Sequence, residues 1–168
     1  ARAGAILVTE DFPELDTPTL RTPNPYLAFA RSIELFYTPP ERSRTVDSSA
    51  RIAPSAKIGP NASIGPYVVI EDEVEIGPNA VLGSFTFVGQ GARIGASFRS
   101  HSQVSIREYC VIGNNVILQD GARIGSDGYG YAKQDDGTYY KIVQSGIVVI
   151  DGLHDLFFSV HDKRAVLH

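Results

Sequence analysis

Branched aliphatic residues recur at every sixth position along the middle of the chain. Thirteen positions lie on this period, and twelve of them are Ile, Leu or Val: Ile52, Ile58, Ile64, Ile70, Ile76, Leu82, Val88, Ile94, Ser100, Ile106, Ile112, Leu118 and Ile124. An α-helix repeats every 3.6 residues and a strand every two, so neither element alone produces this spacing. We call these thirteen residues the aliphatic positions, and a fixed internal period of this kind predicts a solenoid.

A second column of small or apolar residues lies two residues before each aliphatic position and includes Cys110. Side chains alternate along a strand, so positions two apart share a face. Each hexapeptide is therefore predicted to be a short strand and a corner, with three of them forming one coil of a triangular prism. Gly follows eight of the aliphatic positions, where we expect it to supply corner angles that a Cβ resists. The predicted fold class is mainly β, a parallel β-helix over residues 46–150 whose stacked coils bury one continuous core.

Residues 1–45 are predicted to form a short α/β unit and a linker. The run from Ala5 to Val8 is typical of a buried strand. Asn24 followed by Pro25 indicates a helix start, with Asn as the N-cap and Pro in the first turn. The helix is expected to run through Tyr37 and to stop before Pro39.

The period breaks after Ile124, and residues 126–146 are predicted to leave the solenoid as an ejected loop. Insertions in repeat proteins lie on the surface and often carry function. The loop offers five candidates for substrate or subunit contact: Asp127, Tyr129, Tyr131, Lys141 and Gln144. Packing within the loop is the alternative role for the same side chains.

Residues 151–168 show no six-residue period. They are predicted to be an unmatched tail, either a cap on the last coil, which a solenoid needs, or sequence foreign to this fold. Three of the four histidines lie in this tail and cannot be placed from the sequence: His154, His161 and His168.

Composition and charge argue against several classes of protein. A net charge of -4 provides no broad positive field for nucleic acid. No apolar run reaches the ~18 residues of a membrane-spanning helix. A lone cysteine excludes an internal disulfide, and the position of Cys110 predicts a buried thiol and not a nucleophile. Only His101 lies within the coils, so a zinc site of three converging histidines is not expected.

The combination of four segments resembles one family. These are NPYLAFA at residues 24–30, IAPSAKIGPNASIGPYVVIEDEVEIG at 52–77, IGSDGYGYA at 124–132 and KIVQSGIVVI at 141–150. Together they resemble the UDP-3-O-acylglucosamine N-acyltransferases of lipid A biosynthesis over about residues 3–150. The ejected Asp-Gly-Tyr-Gly-Tyr-Ala segment after an NPYLAFA helix distinguishes this family from other hexapeptide-repeat transferases.

The resemblance implies a left-handed coil and a homotrimer of parallel prisms. It implies transfer of a 3-hydroxyacyl chain from acyl carrier protein to the 2-amine of UDP-3-O-acylglucosamine, with that thioester as the acyl donor and no other cofactor. It also implies a bacterial cytoplasmic protein or a plant organellar one. An acetyl-CoA-dependent hexapeptide transferase is an alternative, although it gives no reason for the ejected loop.

Two of the family's motifs have no counterpart in the chain. The catalytic His of a Gln-Ile-Ala-His-Asn motif is absent, Asp151 and Gly152 stand where Gly-Asp is expected, and the uracil-binding Asn-x-Lys-Tyr segment is absent. We therefore assign no catalytic residue, interpret residues 1–45 as the remnant of a uridine-binding domain, and expect an inactive truncated remnant or trimeric scaffold as the alternative to an enzyme.

Overall fold

The computed structural model describes residues 4–38, 44–152, 155–156 and 166–167. The chain divides into two compact units, Ala1–Glu41 and Arg42–His168. In the first unit, strands β1 (Ile6–Val8) and β2 (Thr19–Arg21) pair in parallel and precede helix α1 (Pro25–Glu34).

Helix α1 begins where the sequence predicts. The side chain of Asn24 accepts a hydrogen bond from the backbone N–H of Leu27 at 3.0 Å, which confirms the N-cap. The helix ends at Glu34 and not near Tyr37. The N–H groups of Leu35 and Phe36 bond three residues back, to the Ser32 and Ile33 carbonyls, which is the tighter pattern of a helix end. The run from Ala5 to Val8 is predicted to be a buried strand, but within it only Val8 is buried.

The second unit is a stack of short strands with a hairpin. Its strands are β3 (Arg51–Ile52), β4 (Lys57–Ile58), β5 (Ser63–Ile64), β6 (Val69–Ile70), β7 (Glu75–Ile76), β8 (Val81–Leu82), β9 (Phe87–Val88), β10 (Arg93–Ile94), β11 (Arg99–Ser100), β12 (Ser105–Ile106), β13 (Val111–Ile112), β14 (Ile117–Leu118), β15 (Arg123–Ile124), β16 (Tyr131–Lys133), β17 (Tyr139–Lys141), β18 (Val149–Ile150), β19 (Asp155–Leu156) and β20 (Val166–Leu167).

All strands of the solenoid pair in parallel and form three faces. Face 1 has the order β20-β18-β13-β10-β7-β4, face 2 has β19-β14-β11-β8-β5, and face 3 has β15-β12-β9-β6-β3. Ile58 pairs with Ile76 and Ile76 with Ile94, so the repeat is eighteen residues, three hexapeptides to a coil. This confirms the predicted parallel β-helix.

One hydrophobic core runs along the prism. From Ile64 to Ile124 the aliphatic positions are buried, as are Cys110 and most of the small column. At the first coil, Ile52 and Ile58 are only partly buried, because β3 and β4 begin their faces among the strands that the structure describes.

The prediction that the repeated glycines supply the corner angles is wrong at most positions. The left-handed backbone conformation falls three residues after an aliphatic position, at Asn61, Tyr67, Glu73, Asn79, Phe85, Gly91, Ser97, Gln103, Tyr109, Asn115 and Gly121. The glycines that directly follow aliphatic positions, Gly125 apart, do not adopt it. A Cβ on Gly77 would lie 2.6 Å from the carbonyl carbon of Gly95 and 2.7 Å from the nitrogen of Ala96. Glycine is therefore needed there because successive coils approach too closely for a side chain.

Ser100, the polar residue on the period, does not distort its coil. It pairs in register with Leu82 and Leu118 and is fully buried. Its hydroxyl lies 3.0 Å from the hydroxyl of Thr86 and accepts from the N–H of Gly83 at 3.2 Å. Phe98, two residues earlier, is fully buried in the column of small residues. We infer that the small serine offsets the volume of this phenylalanine.

We expect Thr86→Val to destabilise the protein by about 1–2 kcal/mol, because a buried Ser100 hydroxyl loses its acceptor. Adding Ser100→Ala should recover part of this loss, since Gly83 keeps its backbone bond to the Ser100 carbonyl at 3.0 Å and no polar group is left unpaired. Denaturant unfolding of the two single variants and the double variant measures the coupling. Strictly additive losses would contradict a shared bond.

The ladder continues past the loop, which the prediction of an unmatched tail did not anticipate. Ile150 pairs with Ile112, and Leu156, six residues further along, pairs with Leu118. Strand β20 then pairs with β18. The tail histidines His154, His161 and His168 lie outside the described residues. In the described ranges no helix is long and apolar enough to cross a membrane.

Candidate functional site

The ejected loop is an antiparallel hairpin that leaves the corner between faces 3 and 1. Strands β16 and β17 pair Tyr131 with Lys141, Ala132 with Tyr140 and Lys133 with Tyr139. Partners across an antiparallel pair share a face, so Tyr131, Lys133, Tyr139 and Lys141 lie on one side of the hairpin.

The turn of the hairpin is held by a local hydrogen-bond network. Asp136 accepts bonds from the Thr138 N–H at 2.9 Å and from its hydroxyl at 2.6 Å. The Thr138 hydroxyl and N–H hold the pKa of the Asp136 carboxyl below its usual range. Gly137 adopts a φ of 86°, which glycine does at little cost.

An ion pair closes the base of the hairpin. The Lys141 Nζ lies 2.6 Å from the Asp127 Oδ2, which joins the returning limb to the departing one. The hydrogen bond and charge of Asp127 raise the pKa of Lys141, and the Arg107 cation opposes that shift. The pair is solvent-exposed, so we expect it to fix the position of the limbs more than to stabilise the fold.

Two charged residues of the solenoid lie at this base and were not among the predicted candidates. The Arg107 Nε is 2.8 Å from the Glu108 Oε2, and this bond, followed by the charges of Glu108 and Asp127, raises the pKa of Arg107. With Asp127 and Lys141 they form what we call the base cluster, two cations and two carboxylates. Arg107 follows an aliphatic position, where glycine predominates. Four other aliphatic positions also lack a following glycine, so the sequence alone does not single out Arg107.

The remaining three candidates lie on the two limbs of the hairpin, where Tyr131 is paired with Lys141. The rings of Tyr129 and Tyr131 are 5.1 Å apart between centroids and tilted by 56°. Tyr129 is 97% exposed and Tyr131 45% exposed. Gln144 is half-buried, and its Nε2 would lie 3.8 Å from a Cβ placed on Gly130. The structure thus brings Asp127 into contact with Lys141 and Tyr129 into contact with Tyr131, and their roles in binding stay predictions.

The other residues considered from the sequence lie within the coils. His101 is half-buried at a corner, where its backbone N–H donates to the Leu118 carbonyl at 2.8 Å. Cys110 is 1% exposed, which confirms it as a buried member of the small column. No group of three or more metal-ligating side chains occurs among the residues that the structure describes.

Comparison with protein families and curated proteins gives consistent matches. The family described as Bacterial transferase hexapeptide (six repeats) matches residues 55–90. UDP-3-O-acylglucosamine N-acyltransferase 2 of Gloeobacter violaceus is 45% identical over 99% of this chain and 45% of its own length. UDP-3-O-acylglucosamine N-acyltransferase 1 of Koribacter versatilis is 52% identical over 89% of this chain and 44% of its own length.

The chain spans about half the length of the curated relatives it matches. An alignment over 99% of the chain also extends into residues 151–168, beyond the range in which the sequence resemblance was seen. Among solved structures, Arabidopsis UDP-N-acetylglucosamine acyltransferase matches 70% of this chain and 40% of its own, with a TM-score of 0.57 at 23% identity. This likeness concerns the fold alone and agrees with a left-handed parallel β-helix.

Proposed function

We propose that this chain belongs to the UDP-3-O-acylglucosamine N-acyltransferase family of hexapeptide-repeat proteins and serves N-acylation in lipid A biosynthesis. The observation that carries the proposal is 38–52% identity to proteins of that name over most of the chain. The acceptor is the 2-amine of UDP-3-O-acylglucosamine. The donor is a 3-hydroxyacyl thioester of acyl carrier protein, with no other cofactor, and the compartment is the bacterial cytoplasm.

The proposed reaction forms an amide bond and breaks a thioester bond. The amine nitrogen attacks the thioester carbonyl, the thiolate of the carrier leaves, and a general base takes the proton that the amine releases. We assign no general base among the described residues. Their proposed contribution is binding: the hairpin presents the Tyr131 phenol and the Lys141 ammonium on one side, where both can donate hydrogen bonds to the acceptor.

We also propose that three copies assemble side by side. A hairpin that projects from a corner of one solenoid extends away from its own core, so the surface it reaches belongs to a neighbouring copy. Asp127, Tyr129, Tyr131, Lys141 and Gln144 then contact either the substrate or that copy.

The test is an acyl-transfer assay on the purified protein with UDP-3-O-acylglucosamine and 3-hydroxyacyl carrier protein. We expect an N-acylated product that requires both substrates. Product with acetyl-CoA as donor, and none with the carrier thioester, would overturn the proposal in favour of an acetyl-CoA-dependent transferase. Absence of both product and acceptor binding would favour a non-catalytic scaffold, an interpretation that the names of the relatives do not favour. Loss of product in His101→Ala would identify His101 as the base.

We expect Lys141→Met to lower kcat/KM for acyl transfer by about tenfold, since one tenfold step corresponds to about 1.4 kcal/mol of lost binding in the transition state. The substitution keeps an unbranched apolar stem and removes the ammonium group that pairs with Asp127. The thermal midpoint should hardly change, because exposed ion pairs contribute little.

Lys133→Met is the matched control, as Lys133 is an exposed lysine of the same hairpin that has no ion pair in the part of the chain that the structure describes. Equal effects of the two variants would show that general charge, and not the base cluster, matters.

A further inference from the structure

The hairpin has no core of its own that would hold it against the solenoid. Every residue from Tyr131 to Val143 is exposed, and a segment with few buried contacts moves at little cost in free energy. The ion pair of Lys141 joins it to Asp127, which itself belongs to the departing limb. That pair therefore fixes the limbs to each other, and the direction of the hairpin depends on contacts with the coils.

Arg107 lies in the coil directly before the one that the hairpin leaves. Its backbone N–H donates to the Ile124 carbonyl at 2.9 Å, and Gly125 follows it by eighteen residues. Gly125 has a φ of 79°, and a Cβ placed there would lie 3.2 Å from the Arg107 Cβ. The stem of Arg107 therefore packs against the residue at which the chain turns out of the ladder.

The guanidinium of Arg107 is held in one orientation by the neighbouring Glu108. The Arg107 Nε donates to the Glu108 Oε2 at 2.8 Å, and the Nη2 donates to the Oε1 at 3.3 Å. Two parallel bonds orient a planar guanidinium better than a single contact does, and both side chains are partly buried. The cation is thus fixed to the coil and does not follow movements of the hairpin.

The carboxylate of Asp127 interacts with cations from two different parts of the chain. It accepts a hydrogen bond from the Lys141 Nζ at 2.6 Å, which raises the pKa of Lys141, while the Arg107 cation opposes that rise. The pKa of Arg107 is raised by its bond to Glu108 and further by the charge of Asp127. The two cations repel each other, and a carboxylate that attracts both offsets this repulsion. Asp127 therefore links the lysine of the hairpin to a cation of the solenoid.

We propose that Arg107 is a positioning residue for acyl transfer: its guanidinium, oriented by Glu108, holds Asp127 and through it the Lys141 ammonium at a fixed place beside the solenoid. This role rests on the proposed function, which assigns to Lys141 a hydrogen bond to the acceptor. Arg107 itself makes no contact with the acceptor in this proposal. Misplacement of a positioned group by about 1 Å can lower a rate about 100-fold, so the attachment of the hairpin affects the reaction.

The test is a double-variant cycle in the acyl-transfer assay. Arg107→Gln removes the cation, and we expect it to lower kcat/KM about tenfold, as Lys141→Met does. The two losses should not multiply, because Arg107 acts through Lys141, so the double variant should lie within about twofold of Lys141→Met alone. The thermal midpoint should stay at the wild-type value, whereas a merely structural role would lower it and would multiply the losses.

Arg107→Lys and Arg51→Gln are the matched variants. Lysine keeps the charge without the planar fork, so Arg107→Lys should retain activity within about threefold of wild type. Arg51 is an exposed arginine of face 3, three coils before Arg107, and it has no ion pair among the residues that the structure describes. Arg51→Gln should be as active as wild type. Equal losses in the two Gln variants, or multiplied losses in the cycle, would overturn the positioning role.

The titration of Lys141 is a second measurement, and it does not depend on activity. Asp127, Tyr131 and Arg107 are the charged or titratable groups that act on this ammonium. NMR of protein with isotope-labelled lysine, assigned by comparison with Lys141→Met, reports the pKa. We expect a higher Lys141 pKa in Arg107→Gln, which lacks the opposing cation, and a lower one in Asp127→Asn, which lacks the carboxylate.

The outcomes separate this role from the proposed function. An unchanged Lys141 pKa in Arg107→Gln, or full activity of that variant beside an active wild type, would overturn the positioning role alone. An inactive wild type would overturn the proposed function and the role in that reaction, whereas the titration would still decide whether Arg107 interacts with the ion pair at the base of the hairpin.

Discussion

Excision of residues 127–146 is expected to abolish acyl transfer, with a loss of at least about 100-fold in kcat/KM, while the solenoid stays folded. The excised segment contains every predicted contact residue of the hairpin. Ile112 pairs with Ile150 across 38 positions of sequence, whereas Ile94 pairs with Ile112 across 18. The hairpin therefore accounts for 20 extra residues, and removing that number restores the spacing of an ordinary coil.

The junction of this variant needs one further change. After excision, Ile147 becomes the third residue after Ile124, the place where the other corners adopt the left-handed conformation. A β-branched residue is unfavourable there, so the variant carries Ile147→Asn. Circular dichroism and thermal unfolding should show retained β structure, and the assay should show no product.

A second deletion tests whether the solenoid stays folded because the excised length restores the register of the strands. Excision of residues 128–146 removes one residue fewer, which shifts Val148 and Ile150 by one position and turns their side chains away from the core. We expect this variant to lose the pairing of β18 and to melt at lower temperature. Equal stability of the two deletions would contradict the ladder register, and retained activity in the first would show that the hairpin is not part of the site.

Gly77→Ala is expected to cost more than about 3 kcal/mol of unfolding free energy, the largest effect of any single methyl group considered. A Cβ there would meet the backbone carbon of Gly95 and the nitrogen of Ala96. Backbone of a paired coil cannot swing aside as a flexible side chain does, so the strain must spread along the ladder. Chemical denaturation of the variant measures the loss.

Gly130→Ala provides the comparison. A Cβ on Gly130 would find its nearest neighbour, the Cβ of Ile142, at 3.6 Å, an ordinary contact. That variant should unfold within about 0.5 kcal/mol of wild type, as surface changes usually do. If both glycine variants were equally stable, close approach of the coils would not explain the glycine column.

The fold could be predicted because each hexapeptide repeats the same local arrangement. Burial at Ile64 and Ile124 follows from a period that no helix or simple strand shares. The glycine column was assigned to the wrong cause, because a sequence shows that glycine is required without showing whether conformation or proximity requires it. Gly77 is needed for proximity, while the corner conformation falls to residues such as Asn79.

The position of the candidate site could be predicted from the sequence, but not all of the residues that form it. The hairpin and its five candidates follow from the break in the period after Ile124. Arg107 joins them from a corner twenty residues before Asp127, because coils stack on one another and corner residues of adjacent coils become neighbours. Likewise, the bond between Ser100 and Thr86 links residues fourteen apart, a separation that no local pattern indicates.

The hairpin also sets how the solenoid folds. Each ordinary coil closes a loop of 18 residues, but the pairing of β13 with β18 must close one of 38. The extra closure entropy is about 0.7 kcal/mol. In an array where each coil contacts only its neighbours, this junction is where cooperativity is weakest. Amide hydrogen exchange should therefore divide the solenoid into two kinetic segments, with the coils before Ile124 opening more slowly than strand β18.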